Sequence, residues 1–202
     1  MKSVYTSGLI SQSFWFNEFK KLNELKNMGK TTDEIRKICI DENYIGAHNE
    51  YRSKRITGYL IKRIALMSDE LIEIFINADI KTQKIINLIT ILHSDRLFFE
   101  FVYEVYREKL ILGIQEITIS DATSFFIKKE TQVNELTQWK DITVKKLGNI
   151  YINFLTESGL VCVNQNTNKR IVERPILDYS LKIYLQNNNE SALLKAISGE
   201  RQ

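Results

Sequence analysis

Apolar residues recur along this chain at intervals of three and four, the period of helices that each bury one side. Phe14, Phe16, Phe19 and Leu22 predict a first helix over residues 11–28, and Gly29 is placed to end it in the left-handed conformation. Thr31 followed by Glu34 is a capping box, in which a hydroxyl and a carboxylate satisfy N–H groups left unpaired at a helix start. The helix it opens runs to residue 42 and packs Ile35, Ile38 and Cys39. After a short connection containing Gly46, the stripe Ile56, Leu60, Ile64 and Met67 predicts a third helix over residues 50–67. Ser68 caps a short acidic helix reaching residue 77.

Residues 81–93 present isoleucine and leucine on nearly every side, the mark of a central helix. Residues 95–112 form another helix, ended by Gly113. Ser120 is placed to cap a helix containing Phe125 and Phe126, and residues 131–139 read as one more short helix. Val144, Leu147, Tyr151 and Phe154 line the inner side of a helix over residues 143–157, which Gly159 stops. Residues 160–163 and 170–173 are β-branched or alternating runs around a polar loop. They predict a β-hairpin, closed by Pro175. A helix over residues 177–186 precedes a polar tail.

One proline and eight glycines leave few chain breakers, in keeping with long helices, and 44% hydrophobic residues suffice for a core. The expected fold class is therefore mainly α: a multi-helix globular fold with helix-turn-helix-like elements and one small, winged-helix-like C-terminal hairpin. Three regions are expected: a basic helical region over 1–67, apolar and acidic central helices over 68–119, and a winged-helix-like region over 120–202. Cys39 and Cys162 lie far apart and read as buried hydrophobes of a reducing compartment. The start of the chain lacks the pattern of a signal peptide. Its most apolar run, residues 85–92, is far shorter than the roughly 18 residues of a membrane span, so the chain is expected to be cytoplasmic.

The net charge is only +3. Its distribution is more informative. Residues 1–67 hold 12 lysines and arginines against 7 acids, residues 68–138 hold 7 against 12, and residues 139–202 hold 9 against 6. Two basic regions flank an acidic middle, which indicates where an anion would bind.

The usual catalytic signatures each lack a part. Gly29-Lys30-Thr31 has the end of a phosphate-binding loop, but Glu24 stands where the first glycine belongs and a helix precedes it. Glu24-Leu25-Lys26 has the spacing seen in nucleases without a preceding aspartate. His48 and His93 have no cysteine or histidine at ligand spacing, so neither a metal nor another cofactor is expected. The chain reads as non-enzymatic.

The stronger signal is a helix, a turn and a second helix with a basic outer face, the layout of a helix-turn-helix. Asn49, Arg52, Ser53, Lys54, Arg55, Lys62 and Arg63 are its candidate contacts to bases or phosphates. The bland alternative is a solvated face. A second basic module is expected near the C-terminus. There Lys145, Lys146 and Asn149 point outward from a helix followed by a hairpin with Asn166, Asn168, Lys169 and Arg170 at its tip, the order of parts in a winged helix.

Several segments resemble the BrxA family, a component of bacteriophage exclusion (BREX) systems of bacteria. They are Ser7-Gly8-Leu9; Ile40-Asp41-Glu42-Asn43 leading to Arg52-Ser53-Lys54-Arg55-Ile56; Arg96-Leu97-Phe98-Phe99-Glu100-Phe101; Tyr103-Glu104-Val105-Tyr106-Arg107-Glu108-Lys109; and Glu157-Ser158-Gly159-Leu160. The likeness spans residues 7–163. It implies a small, monomeric, helical protein that binds double-stranded DNA beside a methyltransferase, an ATPase and a phosphatase-like protein, with Arg52, Lys54 and Arg55 as the matching cations. A protein-interaction adaptor and an RNA-binding protein are the rival readings.

Overall fold

A computed structural model describes residues 5–200. The chain divides into two compact units, one formed by residues 14–91 and the other by the N-terminal segment through Ser13 together with the chain from Leu92 onward. The divisions fall before the first α-helix and in the last turn of the central helix, where the composition gives no signal of a boundary.

The 14–91 unit is built from α1 (Phe16–Asn27), α2 (Thr32–Asp41), α3 (Glu50–Ile64), α4 (Asp69–Asn77) and most of α5 (Ile80–Ser94). Local chemistry sets most boundaries. Thr31 and Glu34 close the capping box of α2, and the Ser68 hydroxyl accepts the Leu71 N–H at the start of α4. The first helix begins later than its apolar pattern predicts. Trp15 holds a left-handed φ of 47°, and a helix cannot run through that conformation. Its ring lies 5.8 Å from that of Tyr59. Phe19, Leu22, Leu60, Phe75, Ile86, Leu88 and Ile89 are buried in this unit. On α5 even polar residues are inside: Asn87 donates to the Phe14 carbonyl at 2.8 Å, and Gln83 donates to Phe75 at 2.9 Å.

The second unit begins with the 3-10 turn Gly8–Ser11, which packs on a later helix of the same unit, α9. Its other elements are α6 (Arg96–Phe101), a π-helical stretch (Val102–Tyr106), α7 (Arg107–Leu112), α8 (Ile119–Gln132), a 3-10 turn (Asn134–Gln138), α9 (Asp141–Ser158), β1 (Val161–Val163), β2 (Arg170–Val172), α10 (Tyr179–Asn187) and α11 (Ser191–Ser198). The structure is thus mainly α, with one small hairpin.

Several expected boundaries move. Thr118, not Ser120, caps α8, because Asp121 stands at the position that returns the second bond of a capping box. The short helix expected over 131–139 divides between the end of α8 and a 3-10 turn. The expected polar tail contains α11, whose Leu193, Leu194, Ala196 and Ile197 are buried. The polar run over residues 186–190 hides it in the sequence. Cys162 is exposed on β1, its thiol donating to Glu173 at 3.1 Å, whereas Cys39 is buried as expected.

Tyr151 lies at the centre of this unit's core, with its ring 4.7 Å from Phe98, 5.4 Å from Phe101 and 5.7 Å from Phe126. Gly148 permits the close packing of α8 on α9: a methyl group there would lie 3.0 Å from the Ala122 methyl. In the hairpin, Cys162 pairs opposite Ile171, and Ile171 also bridges to Glu116 on its other side. The Ile117 N–H donates to the Arg170 carbonyl and the Val172 N–H to the Gln115 carbonyl, so β2 lies between β1 and residues 115–117. Among the described residues, no helix is long and apolar enough to cross a membrane.

Candidate nucleic-acid interface

Helix α3 is amphipathic because its apolar residues fall at helical spacing, and burial follows that pattern closely. Ile56, Thr57, Leu60 and Ile64 face the core of the 14–91 unit, while Arg52, Lys54, Arg55 and Lys62 are exposed. Asn49 is the N-cap, its side-chain oxygen accepting the Arg52 N–H at 2.8 Å. Its acceptor therefore already serves the helix. Lys54 forms an ion pair with Glu50 one turn earlier, while Arg52, Arg55 and Lys62 have no carboxylate partner among the described residues.

Two of the expected contacts are internal. Ser53 is buried, and its hydroxyl donates to the Cys39 carbonyl at 2.8 Å, tying α3 to α2. Arg63 is only 2% exposed. Its guanidinium donates to the Phe14 carbonyl at 2.9 Å and lies 5.6 Å from the Trp15 ring. Burial pulls its pKa down to about 10. Neither side chain is presented to a polyanion. Arg63 follows Lys62 by about 100° of helix rotation, which carries it toward the core.

The second unit holds the other predicted cluster. Lys145, Lys146 and Asn149 are exposed on α9, and the Asn149 amide donates to the Lys145 carbonyl at 2.8 Å. Helix α9 starts at Asp141, earlier than expected, which brings exposed Lys140 to its N-cap position. In the hairpin loop, Asn166 and Asn168 are exposed, with Asn168 at a left-handed φ of 54°. Lys169 is drawn to Glu116 by an ion pair of 2.8 Å. Arg170 is exposed while its backbone serves the sheet. Of this cluster, Lys145, Lys146 and Arg170 keep cations without a carboxylate partner among the described residues.

Sequence reasoning missed Tyr51, which stands 78% exposed on the first turn of α3. It also passed over Gly58 in the middle of that helix. Neither carries charge, so the basic pattern of the sequence does not single them out. A hollow of about 410 Å³ beside Asn49 has Asp41, Glu50 and His48 among its lining residues, and it holds no lysine or arginine to attract phosphate.

The acidic middle of the chain has its own internal use. Lys129 is 5% exposed, and its ammonium lies 2.6 Å from Glu100 and also pairs with Glu104 in the π-helical stretch. Tyr5 and Arg96 complete the network on Glu100, at 2.9 Å and 2.8 Å. Burial alone would raise the Glu100 pKa, but the bonds from Lys129, Arg96 and Tyr5 outweigh it and hold the carboxyl below its ordinary value.

Comparison with known proteins agrees with this architecture. A crystal structure of an uncharacterized protein from Magnetospirillum magneticum superposes with a TM-score of 0.78 over 97% of this chain and 99% of that one, at 17% identity, a likeness of fold. The BREX protein BrxA of Bacillus cereus (strain H3081.97) is 34% identical over 199 residues, covering 98% of both chains. The family model described as BrxA matches residues 3–189, so the chain belongs to the BrxA family.

Proposed function

We propose that this chain is a non-enzymatic component of a bacterial BREX phage-defence system that binds double-stranded DNA. The observation that carries the reading is that each unit exposes, on one helix, cations without carboxylate partners among the described residues: Arg52, Arg55 and Lys62 on α3, and Lys145 and Lys146 on α9. Such groups displace the counterions condensed on DNA, and that release drives sequence-independent binding. The order α8, α9, β1, β2, with residues 115–117 beside β2, supports a winged-helix reading, in which α9 approaches the groove and the loop over residues 164–169 lies along the phosphates. The remaining BREX proteins are the expected partners, as the name of the Bacillus cereus relative suggests.

The test is a binding titration on duplex DNA at several salt concentrations. The parent chain is expected to bind with an affinity that falls steeply as salt rises. Replacing Arg52, Lys54 and Arg55 together by alanine should weaken binding to all sequences alike and reduce the salt slope by about two to three, since each lost phosphate contact removes roughly one. Binding equal to that of the parent at low salt would remove α3 from the interface.

A second reading, a protein-interaction adaptor, is favoured by one observation. Ile176 is 97% exposed and Tyr179 77% exposed next to Glu173 and Asp178. Solvent-facing apolar side chains of this size suit a partner surface. Co-purification of other BREX proteins that survives nuclease treatment and high salt, and is lost with Ile176→Asp, separates this reading from bridging by DNA.

A further inference from the structure

Gly58 stands in the interior of a fifteen-residue helix, where glycine is markedly less favourable than alanine. A mid-helix glycine usually answers to a neighbouring element that leaves no room for a side chain. Here a methyl group would meet, beyond the backbone of its own helix turn and its chain neighbours, no described atom within 4 Å. Nothing inside the described protein requires the gap. The outside does.

At about 100° per residue, Arg55, Gly58 and Lys62 lie within roughly 40° of the direction of Tyr51, along one line of the helix surface. That line is the middle of the exposed side, opposite buried Ser53, Leu60 and Ile64. It carries an aromatic ring, a guanidinium, a notch and an ammonium, in that order, and no carboxylate. Arg55 and Lys62 are about 10 Å apart along the axis, with Gly58 between them. Two cations on either side of a bare stretch of helix form a cradle for a chain of phosphates, and glycine is the residue that lets another backbone approach closely.

We infer that this face of α3 seats one sugar-phosphate strand of a DNA duplex, with Gly58 as the point of closest approach, Arg55 and Lys62 on the phosphates at either side, and the Tyr51 ring against a sugar. The inference rests on the DNA-binding reading above and narrows it. Helix α3 lies along the backbone and positions the protein, and it does not read bases. Asn49 is consistent with this, because its acceptor is committed to capping.

The deciding variant is Gly58→Ala in the full chain, measured by thermal unfolding and by titration of a fluorescent duplex of arbitrary sequence. Alanine adds one methyl group into space that is empty in the free protein, so the thermal midpoint should rise by about 1–4 °C. In the complex the same methyl collides with the strand, and affinity should fall about tenfold. The salt slope should not change, because no cation is lost. Arg55→Gln and Lys62→Gln should instead lower the slope by about one each.

A variant with a higher midpoint and undiminished affinity would overturn the inference while leaving DNA binding in place. So would a lower midpoint, which would give Gly58 an internal role. A parent chain that fails to bind duplex DNA at low salt sinks the functional reading, and this inference with it.

Discussion

Among the described residues, each of the two units buries one basic side chain and places a glycine in the middle of a basic helix, and the reasons differ. In the 14–91 unit, Arg63 is buried against the Phe14 carbonyl and the Trp15 ring, and burial weakens its hold on its proton. In the other unit, Lys129 is buried between two carboxylates. Desolvation works against the charge there too, but Glu100 and Glu104 outweigh it and raise the pKa of Lys129 above its ordinary value. The glycines divide in the same way. Gly148 faces the Ala122 methyl and is explained by packing, whereas Gly58 faces open space. A basic residue or a glycine in a helix can thus serve the interior or the exterior, and only its surroundings distinguish the two.

The largest expected effect comes from the buried guanidinium. Arg63→Ala leaves the Phe14 carbonyl and the Asn87 amide oxygen without this donor and opens a cavity, so urea unfolding should show a loss of about 4 kcal/mol. Lys129→Met should follow, at about 2 kcal/mol at neutral pH, since it takes the shared ammonium from two partly buried carboxylates and leaves Glu100 to Arg96 and Tyr5 and Glu104 to Lys128. Its pH dependence has a definite sign. The depressed Glu100 pKa contributes stability that is present above the ordinary carboxylate value and disappears as pH falls through the folded one. The gap between parent and Lys129→Met should therefore narrow as unfolding is followed from neutral pH into acid. A gap independent of pH would show that packing, and not charge, is what Lys129 supplies.

Gly148→Ala sharpens the comparison of glycines. Despite the better helix propensity of alanine, the contact with Ala122 should make it destabilising by about 1 kcal/mol, and Ala122→Gly in the same chain should relieve most of that loss. Gly58→Ala is the smallest change in stability and has the opposite sign, a gain of about 0.5–1 kcal/mol. If both glycine variants moved stability in the same direction, the distinction between an inward and an outward glycine would collapse.

Much of the fold was legible because it depends on neighbours in sequence. The Thr31–Glu34 box, the Ser68 cap, the stop at Gly159 and the hairpin all appear where local pattern places them. The errors came where distant residues intervene. Trp15 is held in a left-handed turn near Tyr59, and α11 follows a polar run that by itself reads as a tail. On the candidate interface, Arg52, Arg55, Lys62, Lys145 and Lys146 stand outside as helical periodicity predicts, while Ser53 and Arg63 do not.

The amino-acid order by itself determined where helices begin and end and which side of each is apolar, since caps, glycines and a 3.6-residue period act within a few positions. It also carried the family. Which cations remain open to an anion was decided only by tertiary structure. Arg63 is held by a carbonyl 49 residues away, and Lys129 by a carboxylate 25 residues away. Charge is a property of one residue, but its availability depends on what the rest of the fold brings against it.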